Sequence, residues 1–124
     1  MSRTRASAKA AGTRMETLVA AYLARHVDDR IERRRLGGAK DRGDIAGLRH
    51  MGERVVVEVK DTAKADLAGW AAEVEAERGN DGAVAGIVVH KRHGRAAAAD
   101  QWVLMTLGDL VALINGNRDH LEES

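Results

Sequence analysis

Two runs of β-branched residues constrain this chain more than any other feature. Val55-Val56-Val57-Glu58-Val59 lies within Arg54 to Lys60, and Ala83 to His90 contains Val84, Ile87, Val88 and Val89. Branching at Cβ fits a pleated, extended backbone and is disfavoured in a helix, so each run predicts a strand. Between them, Ala65 to Arg78 carries Leu67, Trp70, Ala71 and Val74 on one side of a predicted helix, and Gly79-Asn80-Asp81-Gly82 supplies its stop.

The remaining segments fall around this centre. Residues 1–8 read as a flexible basic arm. From Lys9 to His26, Met15, Leu18, Val19, Tyr22 and Leu23 recur at three- and four-residue spacing and predict a first helix. Asp29 to Leu36 alternates weakly, as an exposed strand would, and Gly37-Gly38 breaks it. Asp44 to Leu48 is a short strand, and Met51-Gly52-Glu53 a turn that makes a hairpin with Arg54 to Lys60. A basic loop follows His90, then a strand over Gln101 to Met105. Thr106 can cap a last helix, Leu107 to Ile114, with Asp109 in its first turn and Gly116 to stop it. The chain has no proline, so glycines must mark the turns. The expected fold is α/β, a mixed central β-sheet flanked by helices in the order α-β-β-β-α-β-β-α. Residues 9–116 form one domain, followed by a flexible acidic tail over 117–124.

Composition narrows the functional classes. With 124 residues, 44% of them hydrophobic, one core is attainable without staples. No cysteine is present, which excludes disulfides, thiolate metal sites and cysteine nucleophiles. The five histidines lack zinc-site spacing. No apolar run reaches the roughly 20 residues of a membrane span, and the basic start lacks an apolar signal segment, so the expected location is the cytoplasm. A net charge of +1 argues against a purely electrostatic nucleic-acid binder. The basic residues are nevertheless grouped: Arg3, Arg5, Lys9 and Arg14; Arg30 with Arg33, Arg34 and Arg35; Lys40 and Arg42 in the glycine-rich loop; and Lys91, Arg92, His93 and Arg95 after the second β-branched run. Groups that converge in a fold can follow a phosphate backbone, although each is also what a solvated face looks like.

The chemistry-bearing set is Asp44, Glu58 and Lys60. Period-two alternation puts Glu58 and Lys60 on one face of their strand and Val57 and Val59 on the other. A carboxylate and an ammonium inside a β-branched run are costly unless paired or bound. With Asp44 beside them across the hairpin, two hard oxygen donors and one amine share a small volume. That suits Mg²⁺, with Mn²⁺ as a substitute, and the lysine can position water or stabilise charge on a phosphate. The plainer alternative is a cross-strand ion pair.

Gly43-Asp44, followed after thirteen residues by Glu58-Val59-Lys60, resembles the PD-(D/E)xK nuclease superfamily and its restriction-endonuclease-like core. The segments Gly37-Gly38-Ala39-Lys40-Asp41-Arg42-Gly43-Asp44-Ile45 and Val88-Val89-His90-Lys91-Arg92-His93-Gly94 resemble the RecB-like Holliday-junction resolvases of archaea and phages. The likeness spans roughly residues 9 to 114. It implies that Asp44, Glu58 and the Val59 carbonyl hold the metal and that Lys60 is the catalytic lysine. An acid on the first helix, Glu16 here, would reach the metal as well. Glu73, on the helix of Trp70, is left outside the set. Gly43 stands where the superfamily motif has proline. The implied activity is metal-dependent hydrolysis of DNA phosphodiesters at four-way junctions by a homodimer, with no membrane and no small-molecule cofactor involved. A restriction- or repair-type nuclease acting on duplex DNA and a non-catalytic nucleic-acid-binding module remain the alternatives. Trp70 and Trp102 are expected in the core or at an interface.

Overall fold

Strand β4 (Glu53–Lys60) is the spine to which the rest of the chain is attached. In the computed structural model, which describes residues 3–35 and 40–122, it pairs on one side with a hairpin partner and on the other with β5 (Ala85–His90). The architecture is α/β, a mixed sheet flanked by three helices. The sheet order is β1 (Glu32–Arg33), β2 (Ile45–Ala46), β4, β5, β6 (Trp102–Leu104), with β3 (Arg49–His50) also on β4. Among the described residues only β4 and β5 run parallel, joined by the crossover helix α2 (Leu67–Asp81). Helix α1 (Arg5–His26) precedes the sheet and α3 (Leu107–Asn115) follows it.

Alternation along β4 sorts its side chains between two layers. Val57 and Val59 join Met15, Val19 and Ala20 of α1, with Ile31, Ile45 and Val89. Val56 and Val88 join Trp70 and Val74 of α2. Val55 packs near Ala112 of α3. Each fully buried valine contributes about 1.5–3 kcal/mol, so β4 is anchored from both faces.

Several elements differ from expectation for identifiable reasons. The strand expected over Asp29 to Leu36 reduces to Glu32–Arg33, because Asp28 builds a turn: its carboxylate accepts from the Arg30 amide at 2.9 Å and its carbonyl from the Ile31 amide at 3.0 Å. Leu36 and the expected break at Gly37-Gly38 lie outside the described residues. The first strand of the hairpin is split, adding one strand to the expected order. Ile45 opposes Val57 whereas Arg49 opposes Arg54, so four steps on one side meet three on the other, a β-bulge. Gly47, at φ +97°, accommodates it. Met51 and Gly52, at φ 53° and 80°, close the hairpin with the primed turn that matches strand twist.

The ends are also more structured than expected. Residues 5–8 belong to α1, which starts at Arg5 because the Thr4 hydroxyl accepts from the Ser7 amide at 3.1 Å. Arg3 reaches the Asp61 carbonyl at 2.7 Å, just beyond β4. In the expected tail, residues 119–121 form a 3₁₀ turn, and the Arg118 guanidinium donates to the Val84 carbonyl and to Asp109 at 2.7 and 2.9 Å. Asp109 is buried and accepts from the Gly86 amide at 2.8 Å, so its carboxylate cross-links α3 to β5 as well as sitting in the first helical turn. Among the described residues, no helix is long and apolar enough to cross a membrane.

Two glycines test the frame in opposite directions. A Cβ on Gly43, at φ +95°, would lie 2.8 Å from Val56 Cγ1 and 2.9 Å from the Val57 carbonyl oxygen, whereas one on Gly12, within α1, meets nothing within 4 Å. Gly43→Ala should lower the unfolding free energy by roughly 1–3 kcal/mol, and Gly12→Ala should raise it by about 0.4–1 kcal/mol. Urea titration of both variants measures the two signs.

Candidate metal centre

The hairpin delivers Asp44 to β4. Gly43 passes close over the β4 backbone, the Asp44 amide donates to the Val57 carbonyl at 2.9 Å, and Asp44 Oδ2 accepts from the Val59 amide at 2.8 Å. Main chain and side chain are thus both tied to β4, and continuing the Ile45–Val57 register sets Asp44 across from Glu58. Glu58 is only 4% exposed and shares the α2 face of β4 with Val56.

Helix α2 supplies the opposite wall. Its buried face runs Trp70, Val74, Glu77, Asp81, at intervals of four, three and four residues, so Glu77 occupies a position that a core side chain would ordinarily take. It is 2% exposed, and its carboxyl contacts that of Glu58. One turn earlier on α2, Glu73 receives the Lys60 ammonium at 2.9 and 3.1 Å. Asp41, before the hairpin, completes the group: one carboxylate oxygen from each of Asp41, Glu58, Glu73 and Glu77 lies within 4.8 Å of the others.

Electrostatics follow from this crowding. Burial, then the contacts with Asp44 and Glu77, push the Glu58 carboxyl far above its ordinary value. Burial raises Glu77 to about 7; contact with Glu58 works against that rise, and the charges of Asp41, Glu73 and Asp44 add to it. For Lys60, burial acts to lower the value, but the Glu73 hydrogen bond and the charges of Glu58, Glu73 and Asp44 prevail and hold the ammonium above the usual lysine range. The donor set is all oxygen, hard and anionic, which fits Mg²⁺, Mn²⁺ or Ca²⁺ and not a soft metal.

No family model matches the chain, and neither a curated protein nor a solved structure matches it. The geometry therefore carries the interpretation.

Of the residues singled out in the sequence, Asp44, Glu58, Val59 and Lys60 are brought together. Glu16 sits beside them rather than among them: burial and then the Asp44 charge raise its carboxyl, while Arg33 holds it at 3.2 Å. Arg33 is thereby engaged with an acid, and Arg34 is half-buried with its amide on the Asp44 carbonyl at 2.8 Å. Arg35, Lys40 and Arg42 are exposed. The Lys91–Arg95 loop leaves β5 beside the cleft, with the Lys91 amide on the Lys60 carbonyl at 2.9 Å. Within it, Lys91 Nζ caps the Arg95 carbonyl, His93 Nε2 lies 3.1 Å from the Thr62 carbonyl, and Arg92 stacks 4.4 Å from the Trp102 ring. Of the two tryptophans expected in the core or at an interface, Trp70 is in the core and Trp102 is 49% exposed on the edge strand. Sequence reasoning missed Asp41 and Glu77 and set Glu73 aside. The available signal was an acid within the 70–74–77–81 stripe of α2.

A carboxyl whose value rises on folding adds stability that is complete below its ordinary 4.5 and is lost as pH climbs through the raised value, about 7 for Glu77. Without metal, the unaltered chain should therefore lose stability relative to Glu77→Gln between pH 5 and pH 8, the gap widening by roughly 1–3 kcal/mol. Urea unfolding in EDTA at the two pH values measures this gap, and an unchanged gap would mean that Glu77 carries no such charge penalty.

Proposed function

We propose that the chain is a divalent-metal-dependent DNA endonuclease of the PD-(D/E)xK type, acting on four-way junctions. The observation that carries this reading is the meeting of Asp44, Glu58 and Lys60 at one end of the parallel β4–β5 pair, with Glu58 buried and tightly framed. A parallel strand pair with its crossover helix opens a crevice at the carboxyl ends of the strands, where ligands of α/β sheets are commonly held.

Asp44 and Glu58 would hold the ion, with the Val59 backbone fixed at the same point by its bond to Asp44. Bound there, Mg²⁺ or Mn²⁺ supplies Lewis acidity toward a phosphoryl oxygen and makes a bound water more acidic. Lys60 remains an ammonium, so its part is to offset charge on the phosphate rather than to accept the proton of the attacking water. The Lys91–Arg95 loop, at the same end of the sheet, presents cationic side chains for neighbouring phosphates, and Lys40 and Arg42 stand on the hairpin side.

Resolution of a four-way junction needs two matched cuts, which a symmetric homodimer supplies. Strand β6, at the edge of the sheet among the described residues and with Trp102 and Val103 exposed, offers an apolar surface for such pairing. The proposed setting is the cytoplasm.

Asp44→Ala and Glu58→Ala should each reduce Mg²⁺-dependent cleavage by about a hundredfold or more while leaving DNA binding in place. A synthetic four-way junction and a linear duplex of the same sequence, assayed side by side in nicking gels, separate the substrates: equal cutting rejects junction specificity, and no cutting with Mg²⁺ or Mn²⁺ rejects the nuclease reading.

Binding should also weaken steeply with salt, because neutralised phosphates release counterions. Charge removal at Lys91 and Arg92 together should flatten the slope of log affinity against log salt by about one to two. A slope equal to that of the unaltered chain would remove this loop from the DNA surface.

A further inference from the structure

The α2 wall of the cleft contains donors that the pairing of Asp44 with Glu58 leaves unused. Glu77 is 2% exposed, and among the described residues neither of its carboxylate oxygens meets a hydrogen-bond donor. What it meets is the carboxyl of Glu58, 4% exposed. Two ionised carboxylates are both acceptors, so a buried contact between them requires something positive in between, a shared proton or a cation. A shared proton accounts for one pair. It gives no reason for Asp41 and Glu73 to close on the same point.

Those two acids do close on it, and they arrive from separate elements. One oxygen from each of Asp41, Glu58, Glu73 and Glu77 falls within 4.8 Å of every other. Oxygens facing each other across a divalent ion stand about 4.0–4.2 Å apart for Mg²⁺ and about 4.6–5.2 Å apart for Ca²⁺, from their usual bond lengths. Separations of no more than 4.8 Å fit within a Ca²⁺ coordination sphere, and a smaller ion would draw the oxygens in. Asp41 is also held in place: Asn80 of α2 donates to its carbonyl at 2.9 Å, and its own Oδ1 accepts from the Gly43 amide at 2.9 Å.

We propose that Asp41, Glu58, Glu73 and Glu77 form a second divalent-cation site, distinct from the one assigned to Asp44 and Glu58 and sharing only Glu58 with it. The inference rests on the metal-dependent reading of this cleft through that one shared residue. An ion held there cross-links the segment before the hairpin, β4 and α2. It also competes for the Glu73 carboxylate, which otherwise holds Lys60 at 2.9 Å. The second ion thereby releases the Lys60 ammonium toward a phosphate, coupling occupancy of the α2 side to the chemistry on the Asp44 side.

Mn²⁺ titrated into the metal-free full chain, without DNA, tests this by calorimetry and by the loss of the free-ion electron paramagnetic resonance signal. The unaltered chain should take up two ions. Glu77→Gln should take up one, Asp41→Asn should bind one of the two about tenfold or more weaker, and Asp44→Asn should keep the Glu77-dependent ion. Urea unfolding shows that each variant is folded, and the exposed Asp41 provides a second probe where Glu77 disturbs packing. A Glu77→Gln chain that binds Mn²⁺ as the unaltered chain does, or that binds none, overturns the proposal. The failure of the nuclease reading looks different: if no DNA is cut and Asp44→Asn costs no ion, while Glu77→Gln does, the α2 site stands and the function assigned to the Asp44 side falls.

Discussion

The contact between the Glu58 and Glu77 carboxyls is the constraint around which the rest is arranged. Removing one carboxylate from water costs several kcal/mol, and placing a second against it adds repulsion that the weakly polar interior does not screen. A fold tolerates this only where packing fixes both groups from outside. Glu58 is held by a strand whose neighbours Val57 and Val59 are buried under α1, and Glu77 by a helix pinned through Trp70 and Val74. Both carboxyls are almost wholly withdrawn from solvent, Glu58 at 4% and Glu77 at 2% exposure. Five carboxyls, Asp41, Asp44, Glu58, Glu73 and Glu77, then crowd the cleft, and one ammonium, Lys60, faces three of them, Glu73, Glu58 and Asp44. That imbalance is stable only with protons or cations added, and it is the physical basis for the metal-dependent reading.

How deeply Glu77 enters depends on a residue with no side chain. A Cβ on Gly86 of β5 would lie 2.9 Å from Val74 Cγ2 and 3.2 Å from the Val74 carbonyl oxygen, so α2 settles onto the sheet as closely as it does because that position is glycine. The Gly86 amide is in turn held by Asp109, which Arg118 anchors to the Val84 carbonyl. A chain of contacts therefore runs from the C-terminal segment through β5 to the depth of the α2 wall.

Much of this was legible in the sequence, and the rest was hidden for local reasons. Glu58 and Lys60 could be placed because strand alternation has a period of two and the surrounding valines fix the strand, and Asp44 followed from the hairpin joined by Met51-Gly52. The bulge at Gly47 was not legible, because a single glycine in a short strand does not say on which side the extra residue falls. Glu77 was obscured by its neighbours. Glu73, Glu75 and Glu77 look alike in sequence, yet Glu75 turns outward to Arg78 while Glu73 and Glu77, four apart, face the cleft. Only tertiary packing decides which glutamates of an amphipathic helix are inside. Likewise Asp41 sits in a glycine-rich loop whose course is set by Asn80, thirty-nine residues away.

The acid-lined cleft and the cations around it must be considered together. A cleft of carboxylates repels phosphate, whereas the Lys91–Arg95 loop, Lys40 and Arg42 attract it, and the whole chain carries only +1. On the proposed reading, each divalent ion taken up converts part of the repulsive surface into an attractive one. Ion and nucleic acid then raise each other's affinity by the same factor, because a coupling free energy between two bound ligands is reciprocal. Such coupling grades how tightly the ions would be held: away from a phosphate backbone water completes the coordination sphere, whereas against one phosphate oxygens do so. With acids inside and cations outside, a phosphate backbone seated on the cleft would, on that reading, tighten the hold on ions that the carboxylates and water already bind.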